Sequence, residues 1–132
     1  MPIALSRDQI LGIQDIKVKE LQVPEWNGSV FIRQLTRGEQ DEYLKMQFST
    51  TAVETDLRVR RQKVLNMSFY GHDAWLCVHG ICDDKGTPIF TDKDLEVLKR
   101  KNGEVVGRIA SEIVTFSGMA KDVEAAEKAK NS

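Results

Sequence analysis

Apolar positions along this chain change period several times before residue 118, and each change marks an element. "LSRDQI" opens a helix: Ser6 is the N-cap, Gln9 closes a capping box from N3, and Leu5 is placed to staple onto Ile10. That helix is predicted over 7–15. "KVKELQV" and "SVFIRQL" then approach a period of two and read as the arms of a β-hairpin. Val30 and Ile32 share one face, while Phe31, Arg33 and Leu35 share the other. Pro24 closes the first arm, where a missing N–H costs least. Asn27-Gly28 predicts a type I′ turn with positive φ at both central residues, which puts Trp26 at the hairpin tip or on its shoulder.

The period then becomes helical. In "LTRGEQDEYLKMQF" Thr36 is the cap and Glu39 stands at N3, Asp41 and Glu42 suit the positive end of the dipole, and Tyr43, Leu44, Met46, Gln47 and Phe48 supply the stripe. "STTAVETD" interrupts it, and a further helix is predicted over 56–69 with Leu57, Val64 and Leu65 inward. "FYGHD" breaks the pattern at Gly71. "AWLCVHGIC" fits a buried helix with Trp75, Val78 and Cys82 inward, or else a short strand; helix is preferred. Asp84-Lys85-Gly86 makes a turn that Pro88 continues. Thr91 then caps a helix with Asp94 at N3 and Phe90 ready to staple onto Leu95. Asn102-Gly103 is read as its end. The last strong helix covers 104–117, with Val106, Ile109, Ile113 and Phe116 at helical spacing, and Gly118 stops it.

These elements predict an α+β, mostly α-helical protein: one domain with an N-terminal β-hairpin followed by a helical bundle. Residues 1–35 form the short helix and hairpin, 36–118 the helical core, and 119–132 a weakly structured C-terminal helix or tail. A length of 132 residues suits one core and not two.

Composition narrows the function mainly by exclusion. Nineteen Lys and Arg against 20 Asp and Glu leave a formal charge of −1, which argues against a dedicated nucleic-acid binder. "RVRRQK", Arg58 to Lys63, would spread around a helix instead of forming a stripe, and Glu54 and Asp56 offset it, so a solvated face is favoured over a phosphate contact. No apolar run approaches a membrane span and "MPIALSRDQI" lacks a signal-peptide layout, so a cytoplasmic protein with free thiols at Cys77 and Cys82 is expected.

Candidate chemistry is sparse. His72, Cys77, His79 and Cys82 form the one metal-like group, but neither a helix nor a strand gathers all four, so no metal is expected. Cys77 and His79 diverge on a helix and make a poor nucleophile–base pair. Asp83-Asp84 and Asp92/Asp94 are explained by turn and capping roles. No phosphate-cradling, dinucleotide or nucleophile-elbow motif is present, so neither a cofactor nor an enzymatic activity is expected. Trp26 either packs on the sheet or touches a partner, and its exposure discriminates between the two.

The residues also carry a resemblance. "ALSRDQILGIQDIKVKELQVPEWNGSVFIRQLTRGEQDEY" is similar to the opening of the small tail assembly chaperones of long-tailed, siphophage-like bacteriophages, with Val23-Pro24-Glu25-Trp26, Gly28, Val30, Ile32-Arg33, Leu35-Thr36, Glu39 and Asp41 on the shared pattern. Asn27 stands where the family often has glycine. "CDDKGTPIFTDKDLEVL" and "IVTFSGMAKDVEAAEKAKNS" resemble two later family elements, whereas residues 44–73 are unmatched and Met119-Ala120 replaces the usual Leu-Ser. The resemblance implies a non-enzymatic chaperone that coats the tape measure protein in the host bacterial cytoplasm, delivers it for tail tube assembly and is absent from the mature virion. It further implies a longer form made by ribosomal slippage, through which the tail tube protein is engaged; Ala129-Lys130-Asn131 is compatible with a slippery heptamer. A homo-oligomer fits the same picture. Trp26, Phe31, Val106, Ile109, Ile113 and Phe116 are the candidate partner-binding residues. The alternatives are a minor structural or connector protein of the particle, separable by virion composition, and a small nucleic-acid-binding regulator using Arg58, Arg60, Arg61 and Lys63, separable by salt-dependent DNA binding.

Overall fold

The computed structural model describes residues 3–48 and 72–119. The helix expected over 56–69, the break at Gly71, the basic run Arg58–Lys63 and the tail beyond Met119 lie outside the described residues. The rest forms α1 (Arg7–Gly12), β1 (Val18–Val23), β2 (Gly28–Arg33), α2 (Arg37–Phe48), α3 (His72–Gly80), β3 (Ile81–Cys82), α4 (Leu95–Lys99) and α5 (Gly103–Phe116). Short 3₁₀ turns occupy Pro24–Trp26 and Asp92–Asp94. The architecture is the expected α+β, with short α1 and the N-terminal hairpin first and the remaining helices after them.

The α1 capping box is present, but the helix stops at Gly12, not at residue 15, because Ile13 is already extended at ψ 131°. No residue of α1 is buried, and Leu5 and Ile10 both remain exposed, so the expected staple closes over nothing. With no packing to extend it, only the locally capped turn persists.

The hairpin arms fall where alternation put them. β1 pairs antiparallel with β2 from Val18↔Arg33 to Val23↔Gly28. Lys19, Leu21 and Val23 therefore share a face with Ile32 and Val30; Val23 and Ile32 are fully buried there. The turn differs from expectation. Pro24, Glu25 and Trp26 form a 3₁₀ turn, Asn27 alone is left-handed (φ 56°, ψ 37°), and its N–H donates to the Pro24 carbonyl at 2.9 Å. Proline presets the helical φ that starts a longer loop, so four residues connect the arms and Gly28 already belongs to β2.

α2 begins as predicted: the Thr36 N–H donates to Glu39 Oε1 at 2.9 Å and the Glu39 N–H to Thr36 Oγ1 at 3.1 Å. Tyr43 is buried, and Leu44 and Met46 pack partly on the core. Gln40 Nε2 donates to the carbonyls of Leu35 and Ser117 at 3.2 and 3.3 Å, tying the start of α2 to the end of α5.

"AWLCVHGIC" resolves into both of its possible readings. α3 runs to Gly80 and the chain passes directly into β3, where Ile81 pairs with Ile32 and Cys82 with Phe31. Cys82 is therefore a strand residue and not part of a helical stripe. α3 is buried almost all round, including Ala74, Trp75, Leu76, Cys77 and Val78, because α4, α5 and the sheet enclose it. Such a segment has no polar face to set its period. A Cβ on Gly80 would come within 2.5 Å of Ile113 Cδ1, so glycine permits the α3–α5 approach.

The 83–88 turn is held by Asp83 Oδ1, which accepts from the N–H groups of Lys85 (2.8 Å) and Thr87 (2.9 Å), with Gly86 at φ 89°. Thr91 and Asp94 form the predicted capping box, and Phe90 and Leu95 both pack partly on the core. Asn102 takes a different part from the one expected. α4 has already ended at Lys99, and Asn102 Oδ1 accepts from the Glu104 and Val105 N–H groups as the N-cap of α5. Gly118 (φ 76°) does end α5. The Gly118 N–H donates to the Thr115 carbonyl and the Met119 N–H to that of Val114, a Schellman closure that buries Met119.

Candidate functional site

The loop that carries Trp26 is fastened to α5. Arg108 grips the Glu25 carboxylate with both terminal nitrogens, at 2.6 and 2.9 Å. This bidentate bond holds the Glu25 carboxyl down at about 2. Nearby, Lys19 Nζ lies 3.3 Å from Glu112 and 5.0 Å from the centre of the Phe116 ring. Trp26 is 38% exposed: most of its surface is covered and one part faces solvent. Phe31 and Phe116 are half-buried.

The other candidate residues are not on the surface. Val106 is buried, and Ile109 and Ile113 are fully so, in contact with the core that includes Val23, Ile32 and Leu76. Their helical spacing is the core-facing stripe of an amphipathic helix, and burial stabilises each side chain by about 1.5–3 kcal/mol. As surface contacts in the folded chain, these three positions are corrected by their burial. Trp26, Phe31 and Phe116 keep accessible surface.

A polar junction that sequence reasoning did not foresee lies between β2, α2 and α3. Arg33 Nη1 donates to Glu39 Oε1 at 2.9 Å, to Glu39 Oε2 at 3.2 Å and to the His79 carbonyl at 3.0 Å. The His79 ring stands between two carboxylates, with Nδ1 3.3 Å from Glu39 Oε2 and Nε2 3.3 Å from Asp92 Oδ1. It also stacks on Trp75 at 4.1 Å. Burial pushes the Glu39 carboxyl up, but the Thr36 N–H and the Arg33 guanidinium outweigh it and hold the group below the ordinary range. Glu39 is therefore a firmly ionised strut, poorly suited to accept or donate a proton at neutral pH. Its capping role was legible from local spacing; its pairing with Arg33 depends on the strand docking against the helix.

The four metal-like residues do not meet. His72 sits edge-on to Tyr43 at 5.9 Å, His79 belongs to the junction, Cys77 Sγ points at the Val106 carbonyl at 3.7 Å, and Cys82 lies on β3. Among the described residues no group of three or more His, Cys, Asp or Glu is placed to hold a metal ion. Both cysteines are free and buried. Burial, with a smaller contribution from Asp73, pushes the Cys77 thiol up to about 12, so it is protonated and unreactive at neutral pH. Among the described residues no helix is long and apolar enough to cross a membrane.

The model of the family described as "Phage tail assembly chaperone" matches residues 10–131. No curated protein matches the chain. Among solved structures, the tail assembly chaperone of bacteriophage HK97 shares the fold, with a TM-score of 0.55 at 19% identity over 76% of this chain and 85% of that one. The family is a class of chaperones and not of enzymes. On the match that spans residues 10–131, the chain belongs to the phage tail assembly chaperone family.

Proposed function

We propose that this protein binds the tape measure protein of its phage, keeps that long helical chain soluble, and delivers it for assembly of the tail tube. The family match over residues 10–131 carries the reading. The protein works in the host cytoplasm, leaves before the virion matures, and acts without catalysis. Its own core already uses Val106, Ile109 and Ile113, so contacts with partners fall to side chains that keep accessible surface, among them Trp26, Phe31 and Phe116. The physical need is plain: apolar helical stripes on an unassembled tape measure chain aggregate unless covered. Many modest contacts suit a coat that must later come away, where one tight pocket would not. A longer form made by slippage near residues 129–131 links the coat to the tail tube protein, and several copies act together.

Co-expression tests the reading. With this chain present, the tape measure protein of the same phage is expected in the soluble fraction and to co-purify with it. Equal solubility with and without the chain contradicts the proposal. Recovery of the chain in purified virions would favour a structural role instead.

A further inference from the structure

The two edges of the sheet differ. With the strand order β1-β2-β3, the far side of β3 is backed by the chain beyond the 83–88 turn: Cys82 bridges to Pro88, and the Ile89 N–H donates to the Ile81 carbonyl at 3.4 Å. β1 has no such cover. The Gln34 N–H donates to the Lys17 carbonyl at 3.0 Å, and the register runs unbroken from Val18↔Arg33 to Val23↔Gly28. Alternation along an antiparallel ladder then turns the backbone N–H and C=O groups of Lys19, Leu21 and Val23 toward β2, and those of Val18, Glu20 and Gln22 outward. Among the described residues nothing hydrogen-bonds to this outward backbone row.

An unpaired row of this kind is a template for another strand, and proteins commonly blunt it with proline, a bulge or outward charges. β1 contains neither proline nor bulge. Its charged side chains are engaged on their own chain: Lys19 Nζ donates to Glu112 at 3.3 Å and lies over the Phe116 ring, and the Glu20 carboxylate accepts from Ser29 Oγ. Glu20 and Gln22 are exposed and Leu21 is half-buried, so the strand is open to an approach from its side.

We propose that this edge pairs with the same edge of a second copy of the chain, antiparallel about a two-fold axis at Leu21, so that one sheet runs through both copies. The strand's own sequence selects the register. Centring on Glu20 sets two carboxylates opposite each other, and centring on Lys19 sets two ammonium groups; like charges directly opposite are destabilising. Centring on Gln22 sets Pro24, which has no N–H, against Glu20. Centring on Leu21 sets Glu20 of each copy against Gln22 of the other, where backbone bonds form in both directions. The Gln22 carboxamide then faces the Glu20 carboxylate, and the two Leu21 side chains meet at the axis and bury apolar surface. A tape measure helix is no rival for this edge, since its N–H and C=O groups are already paired within it. A second copy brings a strand that is already ordered, which lowers the entropic cost of pairing. The inference goes beyond the chaperone reading: it gives the several copies invoked there a contact, and the contact forms without a tape measure protein.

The test uses the purified full chain alone. Leu21→Cys is expected to form a disulfide-linked dimer under mild oxidation, because a non-hydrogen-bonded pair brings its Cα atoms to about 4.5 Å, within the span a disulfide bridges. The native Cys77 and Cys82 are buried and do not compete. Glu20→Cys and Gln22→Cys do not face themselves in this register and serve as controls. More linked dimer from either control than from Leu21→Cys overturns the inference. In sedimentation equilibrium the unaltered chain is expected to self-associate reversibly. Gln22→Pro removes an outward N–H and leaves the β1–β2 bonds in place, so it should weaken that association at least tenfold while circular dichroism stays unchanged. A monomer at every concentration, or undiminished association of the Gln22→Pro variant, overturns the inference. If the proline variant fails to fold, the Leu21→Cys crosslink decides. No tape measure protein is in the sample, so each of these outcomes leaves the chaperone reading intact.

Discussion

Gly80 shows how little room the core leaves. Its missing Cβ lets Ile113 pack on the end of α3, and a methyl group there would lie within 2.5–2.9 Å of three Ile113 carbons. Both sides are enclosed, so relief requires backbone movement. Gly80→Ala is expected to cost about 1–3 kcal/mol, read as a lowered denaturation midpoint; an unchanged midpoint would mean that α3 and α5 do not approach so closely. Thr91→Ala should cost less, about 1 kcal/mol or under, because the Asp94 N–H also donates to the Thr91 carbonyl at 2.9 Å. The tryptophans separate by exposure. Trp26 is partly open and Trp75 buried, so Trp26→Phe should remove most of the emission that acrylamide quenches while the fold persists. Strong residual quenching would place Trp75 in solvent.

Residues whose partners are close in sequence were the legible ones. Ser6/Gln9, Thr36/Glu39 and Thr91/Asp94 each span three positions, and all three capping boxes form. Asn27-Gly28 misled because Pro24, three residues upstream, had already committed the loop to a helical turn. Arg33 could not be matched to Glu39 and His79 from the sequence, since the match exists only once β2, α2 and α3 have docked.

Among the elements, misreadings cluster where periodicity loses its meaning. α3 is buried round most of its circumference, so apolar spacing could not separate helix from strand, and the chain uses both in turn. Asn102 carries signals for an end and for a start, and the start wins because its carboxamide satisfies two N–H groups of α5. The Arg33–Glu39–His79 junction fastens three elements and makes their docking sensitive to acid. The Glu39 carboxyl is held below its ordinary 4.5, so its contribution is fully present above that pH and is lost as pH falls through the lower folded value. Asp73, raised by burial, works in the opposite sense and is relieved on protonation. Glu39→Gln should therefore lower stability at pH 7 and flatten the decline below pH 4.5 in acid-denaturation curves. An acid limb as steep as that of the unaltered chain would assign the sensitivity to another group. Glu39→Ala, which leaves Arg33 buried without its counter-charge, should cost about 3–5 kcal/mol.

For the whole molecule, the α+β class and hairpin-first order were readable because they follow from local pattern. The exposure of the candidate contact residues was readable only in part. A stripe such as Val106/Ile109/Ile113 looks the same whether it faces a partner or the chain's own core, and here the core takes it. Conversely, a staple of Leu5 on Ile10 looks structural from the sequence, and both side chains prove exposed. Among the described residues a well-packed core stands beside exposed aliphatic side chains near the N-terminus, and the proposed function is that the protein covers another chain. Sedimentation velocity of purified tape measure protein, alone and with this chain, tests that account most directly. One faster-moving, soluble species is expected, with a mass that corresponds to several copies of the 132-residue chain per tape measure molecule. Separate sedimentation of the two proteins, with the tape measure protein aggregating as it does alone, would contradict it.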